Sequence, residues 1–270
     1  MSFSDKHNVA RLQVVGKCNK VNRTLTWSRA HPTGYLYNRK WVSRHCSAHS
    51  GNFEFSSCLQ NTKVVLIGDS TVGQLFDGLK RRKPCTLLSR MKYGVNIRHR
   101  PLICTNKTLN YTLELIEHTL PFCASDTPRI YLRTFAAQLD LIRGEENVVV
   151  ILHGFSHFLS YHSHVFYETL QNMRKGIVDL FNRKSNVFIV IKGPHTFSFE
   201  ESHISTMWMP DRYADYYQQF IYDAFSDLQD RVMFLECQDI TISTEQWHIH
   251  SEEFIIDALV ASIFDHVCPY

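Results

Sequence analysis

A serine at the end of an apolar run is the first residue whose position suggests chemistry. The run VVLIGDSTVGQLFDGL covers residues 64–79 and changes at Gly68-Asp69-Ser70 from a buried-strand pattern to a helix pattern. A hydroxyl at such a junction projects from the sheet edge, where the N–H groups of the first helical turn can face a developing negative charge. Ser70 is therefore a candidate nucleophile. Alternatively, Ser70 only caps the helix, and Asp69 is a second candidate for that cap.

A serine nucleophile needs a base, usually histidine, within hydrogen-bond reach. Among the 15 histidines, two groups lie where a base is expected. His153 and His157 follow an apolar run, and His248 and His250 precede the last helical pattern. The backbone N–H of Gly154 lies in the first group and is a candidate oxyanion donor.

Two assignments of the base compete near the end of the chain. Glu245 precedes His248 by three residues, a spacing that lets a carboxylate hold the imidazole in one tautomer. His250 lies closer to the last helix, but the residue at the same spacing before it is Trp247, so no acid orients it locally. Both assignments stay open at this point.

Two pairs of histidines raise the question of a metal. His162 and His164, like His248 and His250, are two residues apart, which places both rings on one face of an extended chain. Zinc needs a third ligand, and neither pair has a partner at a recognised spacing. We therefore expect no metal site and no bound cofactor.

The elements that must position these residues alternate along the chain from residue 64. Short apolar runs predict strands and longer amphipathic runs predict helices. Because the strands are continuously apolar, they are buried on both faces, which is typical of a parallel sheet between helices. The predicted strands are 64–68, 128–133, 147–153, 187–192 and 232–236, and the predicted helices are 71–80, 164–183, 211–229 and 252–267.

Length and composition predict one large domain with an extension. The chain has 270 residues, of which 44% are hydrophobic, enough to bury a full core. Residues 1–60 lack clean periodicity but are rich in aromatic residues and hold three cysteines. We expect them to form an irregular cap packed on a main domain that covers residues 61–270.

The charge of the chain indicates which partners to expect, and its cysteines indicate the cellular compartment. A net charge of +3 without a recognised motif argues against nucleic acid, and no stretch has the length of a membrane span. The segment 80–100 holds eight basic residues and no acidic one, which indicates either a solvated loop or a surface for an anionic ligand. Eight cysteines and sequons at Asn22, Asn106 and Asn110 favour the secretory pathway, although no signal peptide is visible. Of the possible disulfides, Cys58 with Cys268 is the pair we expect.

Three blocks of sequence resemble one known family. The stretch GYLYNRKWVSRHCSAHSGNFEFSSCLQNTKVVLIGDSTVGQLFDGL is similar to the start of the PC-esterase domain of the neurexophilin and PC-esterase (NXPE) family. The stretch VVVILHGFSHF resembles the family's strand and Gly-x-His-Phe segment, and QDITISTEQWHIHSEEFIIDALVASIFDHVC resembles its ending. The similarity spans roughly residues 20–268. It implies an α/β fold of the SGNH-hydrolase type, a three-layer sandwich with a mainly parallel central sheet.

The resemblance also implies roles for particular residues. Ser70 would be the nucleophile and His250 the catalytic histidine. For the oxyanion, we expect the N–H groups of Ser70 and Gly154, with His157, to be the donors. The family's His-Pro pair is His250-Ser251 in this sequence, and its Gly-x-His-Phe segment carries one extra residue. These departures are compatible with a dyad, a different acid or lost activity.

The function implied by the resemblance is O-acyl transfer, typically of acetyl, to glycan hydroxyls such as those of sialic acid. The acyl donor would then be a molecule such as acetyl-CoA, and the acceptor a glycan or glycoprotein in the Golgi lumen or outside the cell. The alternatives are an acetylesterase of the same fold and an inactive module that binds a glycan or a protein.

Overall fold

The chain folds into an α/β domain in the computed structural model, which describes residues 16–48, 58–88, 101–118, 132–144, 146–197, 211–246 and 248–268. Its strands are β1 (Gly34–Tyr37), β2 (Lys40–Ser43), β3 (Thr62–Gly68), β4 (Thr86–Leu87), β5 (Leu102–Asn106), β6 (Tyr111–Glu117), β7 (Asn147–Leu152), β8 (Val187–Lys192) and β9 (Val232–Leu235). Its helices are α1 (Ser70–Arg82), α2 (Phe135–Leu139), α3 (Ser163–Arg183), α4 (Asp211–Ala224), α5 (Gln238–Ser243) and α6 (Glu253–Val267).

Seven of these strands form one sheet in the order β4-β5-β6-β3-β7-β8-β9. The five strands from β6 to β9 in that order are parallel, whereas β4 and β5 pair antiparallel at one edge. Parallel strands end at the same edge of a sheet, so the residues that follow β3, β7 and β8 are neighbours. The predicted sandwich with a mainly parallel central sheet is confirmed.

Alternate residues of the central strands face two separate cores. In β3, Val65 and Ile67 pack with α2, α3 and α4 on one face of the sheet. Val64 and Leu66 pack with α1 and α6 on the other face. This period-two arrangement with apolar residues on both faces explains why the strands read as continuous apolar runs.

Most of the predicted strands and helices agree with the structure within one or two residues at each end, and the exceptions are few. The predicted strand 187–192 is β8 without change, while the helix predicted over 211–229 ends at Ala224 and continues as turns. The predicted strand 128–133 lies almost wholly outside the described residues, and residues 132–133 are not in a strand. Strands β5 and β6 were not predicted, although residues 111–117 do alternate in burial, and neither were β1, β2, β4 and the short helices α2 and α5.

The segment before β3 covers an edge of the sheet. Within residues 16–48, two short 3-10 helices precede the hairpin of β1 and β2. Trp27 Nε1 donates to the carbonyl of Val232 at 2.7 Å, and Thr26 Oγ1 accepts from the N–H of Phe234 at 2.9 Å. Strand β9 therefore has its exposed backbone groups bonded by this segment, which protects the edge from pairing with another chain.

Three disulfides link the described parts of the chain. Cys58 is bonded to Cys268, as predicted, and this bond ties the start of the domain to the end of α6. The other bonds join Cys18 to Cys46 and Cys85 to Cys104. Cys237 is a buried free thiol, and Cys123 lies outside the described residues. Such bonds form in oxidising compartments, so they fit a protein of the secretory pathway. Among the described helices, none combines the length and apolar character of a membrane span.

Candidate active site

Ser70 lies at the carboxyl edge of the sheet as the first residue of α1. Asp69, not Ser70, caps this helix, because Asp69 Oδ1 accepts from the N–H of Thr71 at 3.0 Å and from its hydroxyl at 2.7 Å. The hydroxyl of Ser70 is therefore not used for capping, and the residue is exposed. A Cβ at Gly68 would lie 2.7 Å from the backbone oxygen of His153, so only glycine fits where β3 passes β7.

The imidazole next to Ser70 is that of His250. His250 Nε2 lies 2.9 Å from Ser70 Oγ across 180 residues of chain. This distance is that of a good hydrogen bond, and it is also the distance expected between a nucleophile and its base. Among the described residues, no carboxylate forms an ion pair or hydrogen bond with the His250 ring.

Two glutamines hold the residues around His250. Gln74 lies one turn after Ser70 on α1; its Nε2 donates to the carbonyl of Ser251 at 2.8 Å, and its Oε1 accepts from the N–H of Ser251 at 3.0 Å. Gln246 Nε2 donates to the carbonyl of His248 at 2.6 Å and to Ser251 Oγ at 2.8 Å. Neither glutamine was predicted from the sequence. The available signal was the spacing of four residues from Ser70 to Gln74, which places both on one helix face.

His248 and Glu245 do not join this pair. The His248 ring is exposed, and within the described part of the chain it forms no hydrogen bond with Ser70 or with Glu245. Glu245 adopts a left-handed backbone conformation with φ of 47° at the end of the turn after α5. Trp247, which stands where an acid would orient His250, lies outside the described residues.

The predicted oxyanion donors lie near the same edge. Ser70 and Gly154 follow the adjacent strands β3 and β7, and neither backbone N–H donates to another described residue. His157 lies in a short 3-10 helix after β7, and its Nδ1 donates to the carbonyl of His118 at 3.0 Å. A neutral His157 ring therefore carries a lone pair on Nε2, so only the cationic ring can donate from that atom.

Beneath the pair lies a buried acid with its own histidine. Asp69 Oδ2 accepts no hydrogen bond from any described residue and faces His153 Nε2 at 3.4 Å. Burial would raise the pKa of Asp69, but His153, the ammonium of Lys192 and the bond from Thr71 outweigh it and hold the pKa well below its usual range. Burial and the Lys192 ammonium lower the pKa of His153 to about 4. At neutral pH Asp69 is therefore an anion and His153 a neutral ring.

The family of this chain is shown by a match over most of its length. Residues 41–268 match the family model described as "NXPE family member 4-like, C-terminal domain". The chain belongs to the NXPE family. The match covers most of the chain, and it places the domain with PC-esterase-like proteins, a class of hydrolases and acyltransferases.

A solved structure is also similar in part, the G domain of the T. maritima FeoB iron transporter. The identity is 15%, the likeness covers 67% of this chain and 89% of that chain, and the TM-score is 0.26. At so low a TM-score the likeness bears on neither fold nor function.

One departure from the NXPE pattern has a structural counterpart. The family's His-Pro pair is His250-Ser251 here, and proline has no N–H to donate. Ser251 uses its N–H to bond Gln74 and its hydroxyl to bond Gln246. The backbone after His250 is thus held by side-chain hydrogen bonds in place of a proline ring.

The histidine pair His162 and His164, considered above as metal ligands, forms other contacts in this NXPE domain. His162 Nδ1 accepts from the N–H of His164 and so caps α3, and His164 pairs with Glu168 at 3.7 Å. Within the described residues, the groups close enough to share an ion are two others: Cys18, Cys46 and His266, of which the cysteines are bonded to each other, and His31, Glu236 and Asp239.

The three sequons differ in accessibility. Asn22 and Asn110 are exposed, whereas Asn106 is half-buried and its Nδ2 donates to the carbonyl of Pro84 at 3.1 Å. Asn22 accepts from the N–H of Thr24, so its amide nitrogen stays available. Glycosylation at these positions stays a prediction, with Asn106 the least accessible.

Proposed function

We propose that this NXPE domain is an O-acyl transferase, with acetyl as the acyl group, that modifies glycan hydroxyls through an acyl-serine at Ser70. The observation that carries the proposal is the contact of 2.9 Å between Ser70 Oγ and His250 Nε2 at the exposed carboxyl edge of the sheet. Ligand sites of open α/β sheets lie at that edge.

In the first step, Ser70 takes the acyl group. His250, with its proton on Nδ1, accepts the Ser70 proton on Nε2 while Oγ attacks the carbonyl carbon of the donor, an acetyl ester or a thioester such as acetyl-CoA. The bond from that carbon to the leaving oxygen or sulfur breaks, and His250 returns the proton to the leaving group. The product is an acetylated serine and a neutral histidine.

In the second step, the acceptor takes the acyl group from Ser70. A sugar hydroxyl gives its proton to His250 Nε2 and attacks the acyl carbon, and the departing Ser70 oxygen regains the proton. Water in place of the sugar would complete an esterase reaction with the same residues. The outcome depends on how well a bound acceptor excludes water from the edge of the sheet.

The developing oxyanion needs donors at the same edge. We assign this role to the backbone N–H groups of Ser70 and Gly154, which donate to no other described residue. His157 contributes only as a cation, because its Nδ1 proton is used on the carbonyl of His118. The expected setting is the secretory pathway, where glycan acceptors and disulfides occur together.

A second candidate is an inactive module that binds a glycan. It is favoured by one observation: among the described residues, no carboxylate contacts the ring of His250. Without an acid the imidazole loses the orienting partner of a full triad, and a triad without its acid is about 10⁴-fold slower. A dyad still acylates, so the two candidates differ in whether any acyl-serine forms.

The deciding experiment is acylation of the protein by an activated acetyl ester, followed by intact mass and peptide mapping. We expect one acetyl group on Ser70 in the wild type and none in Ser70→Ala. His250→Ala should slow acylation by about 10³-fold or more. His248→Ala serves as the matched control and should acylate like the wild type.

Three outcomes would change the proposal. Loss of acylation in His248→Ala but not in His250→Ala would assign the base to His248. A wild type that is never acylated but binds glycan would favour the binding module. Rapid release of acetate with glycan acceptors present, without acetylated glycan, would favour the esterase.

A further inference from the structure

A row of buried polar side chains crosses the carboxyl edge of the sheet beneath Ser70. Asp69 follows β3, His153 follows β7 and Lys192 ends β8, three adjacent parallel strands, and His195 lies three residues further on. Each is 4% exposed or less. Buried charged and polar groups are costly, so four together in this place need an explanation.

The hydrogen bonds fix the tautomers along the row. His153 Nδ1 donates to the carbonyl of Lys192 at 2.9 Å, so Nε2 of the neutral ring is an acceptor. His195 Nε2 donates to the carbonyl of Ile249 at 3.1 Å, so its Nδ1 is likewise an acceptor. The ammonium of Lys192 lies 3.4 Å from His153 Nε2 and 3.5 Å from His195 Nδ1 and donates to both.

Lys192 also supplies the charge that the row requires. Asp69 Oδ2 and His153 Nε2 face each other at 3.4 Å, and both are acceptors when Asp69 is ionised and His153 is neutral. Two facing acceptors repel each other unless a cation lies beside them. Burial and Lys192 hold the pKa of His195 well below its ordinary value, so that ring is neutral too. Lys192 is thus the cation of the row.

The row ends at the backbone beside each proposed reactive group. Asp69 directly precedes Ser70 in the chain, and His153 directly precedes Gly154. The carbonyl that accepts from His195 belongs to Ile249, which directly precedes His250. The nucleophile, an oxyanion donor and the base come from separate segments of the chain. The row is the buried connection among all three.

We propose that Lys192 is a positioning residue that, through His153 and His195, sets the distance between Ser70, Gly154 and His250. This inference rests on the proposed function, since a distance between reactive groups matters only if they react. Lys192 touches no substrate in this proposal and acts through its neighbours.

The test compares Lys192→Met, which removes the ammonium at similar length, with Lys175→Met. Lys175 is exposed and pairs only with Asp179 among described residues. A fluorophosphonate that labels activated serines is added, and its maximal labelling rate and half-saturating concentration are measured. We expect Lys192→Met to lower the maximal rate about 10- to 100-fold, with the half-saturating concentration nearly unchanged, because misplacement of reacting groups slows the chemical step. Lys175→Met should match the wild type.

The pH profile separates positioning from mere loss of stability. In Lys192→Met the ammonium no longer lowers the pKa of His153; burial and His157 still lower it, and Asp69 and the backbone carbonyl of residue 192 still raise it. We therefore expect this pKa to rise and the ring to become a cation in mild acid. The protonated ring then supplies, at Asp69 Oδ2, the positive charge that the ammonium supplied. We therefore expect the ratio of wild-type to mutant labelling rates to shrink from pH 8 to pH 5.5. A ratio that does not change with pH, with a normal fold, would overturn the proposal.

Backbone amide NMR shifts supply a readout that needs no activity. Lys192→Met should move the amide signals of Ser70, Gly154 and His250 together, and Lys175→Met should move none of them. If wild-type Ser70 is never labelled, the proposed function fails, and these shifts alone decide whether the row connects the three sites. If the wild type is labelled and Lys192→Met reacts at the same rate, the inference fails and the proposed function stands.

A second pair of variants covers the case in which Lys192→Met does not fold. His195→Gln keeps an N–H donor for the carbonyl of Ile249, and His195→Leu does not. We expect the leucine variant to be labelled about 10-fold more slowly than the glutamine variant. Equal rates would contradict a role for the row in placing His250.

Discussion

The serine junction (residues 68–71) and the histidine loop (residues 248–251) supply the two halves of one site by different means. The junction follows a buried strand, needs a glycine at 68 and rests on a buried anion at 69. The loop is largely exposed and is held by hydrogen bonds from Gln74 and Gln246. Ser70 is therefore an exposed residue on a junction anchored in the core, whereas His250 lies on a loop attached to that junction by side-chain hydrogen bonds.

Substitutions in the two regions should therefore affect stability and reaction rate to different degrees. A change at the serine junction disturbs core packing or a buried charge, so it should cost folding free energy as well as rate. A change in the histidine loop disturbs partly buried hydrogen bonds, each with a net contribution of about 1 kcal/mol, so it should cost rate more than stability.

The largest effect is expected when the buried charge of the junction is removed. Asp69→Asn keeps a good helix cap but removes the carboxylate charge that balances the buried Lys192 ammonium, which keeps only its hydrogen bonds to His153 and His195. We expect the free energy of unfolding to fall by about 3 to 5 kcal/mol in urea denaturation. The double variant Asp69→Asn with Lys192→Met removes both charges and should recover part of this loss. A double variant with the summed losses of both single variants would show that the two charges are independent.

Acidification tests the same junction without a change at residue 69. The pKa of His153 is about 4 in the fold and near 6.5 in an unfolded chain, so the unfolded state binds more protons between these values. Stability from this group is complete above pH 6.5 and is lost as the pH falls toward 4, by roughly 3 kcal/mol in all.

The measurement is the difference between wild type and His153→Asn in urea denaturation at pH 7 and pH 5. Burial raises the pKa of Glu236 to about 7, which gives a pH dependence of opposite sign, but this contribution cancels in the difference. We expect the wild type to lose more stability than His153→Asn on acidification. Equal losses would mean that His153 is not neutral in the fold.

Glycine positions beside Ser70 give a smaller effect with a matched control. Gly68→Ala places a Cβ 2.7 Å from a backbone oxygen and should cost about 1 to 3 kcal/mol of unfolding free energy. In Gly73→Ala the new Cβ meets only Leu115 at 3.8 Å, and alanine favours a helix by about 1 kcal/mol over glycine. In thermal denaturation we expect Gly68→Ala to lower the melting temperature and Gly73→Ala to raise it. Equal losses of stability in both variants would contradict this account.

The serine junction was largely predictable from the sequence because its signals are local. A continuous apolar run, a glycine, a capping residue and an amphipathic run lie in one stretch, and each has a direct backbone consequence. The choice between Ser70 and Asp69 as the cap was not predictable, because both residue types cap well and only Asp69 is paired with a residue from another strand.

The histidine loop was predictable only by resemblance. His248 and His250 have similar local surroundings, and the contact that distinguishes the position of His250 is made by Gln74, which bonds the backbone of Ser251 from 177 residues away. The buried row is equally hard to predict from the sequence. Lys192 is the last residue of an apolar run, and only the strand order brings it next to the residues that follow β3 and β7. Pairing between distant segments leaves no periodic pattern in the sequence.

A change at Gln74 should slow the reaction while leaving the fold intact. In Gln74→Glu the carboxylate still accepts from the N–H of Ser251 but cannot donate to its carbonyl, and two acceptors then face each other. We expect labelling of Ser70 to slow about 10-fold, with unfolding free energy lowered by about 1 kcal/mol. Gln60→Glu, an exposed change of the same chemistry, is the control. If Gln74→Glu lowered stability without slowing the labelling of Ser70, the expectation that changes in the histidine loop affect rate more than stability would be wrong.

The smallest expected effect concerns Glu245, and it tests whether the loop needs an acid. Glu245 has φ of 47°, a conformation that costs about 1 to 2 kcal/mol for most residues and almost nothing for glycine. Glycine loses more backbone freedom on folding, so Glu245→Gly should stabilise the fold by only about 0.5 kcal/mol. Because no described hydrogen bond joins Glu245 to either histidine of the loop, the labelling rate of Ser70 should be unchanged. Glu245→Gln keeps the backbone cost and removes only the charge, so a slower reaction in both variants would show that this carboxylate orients the base after all.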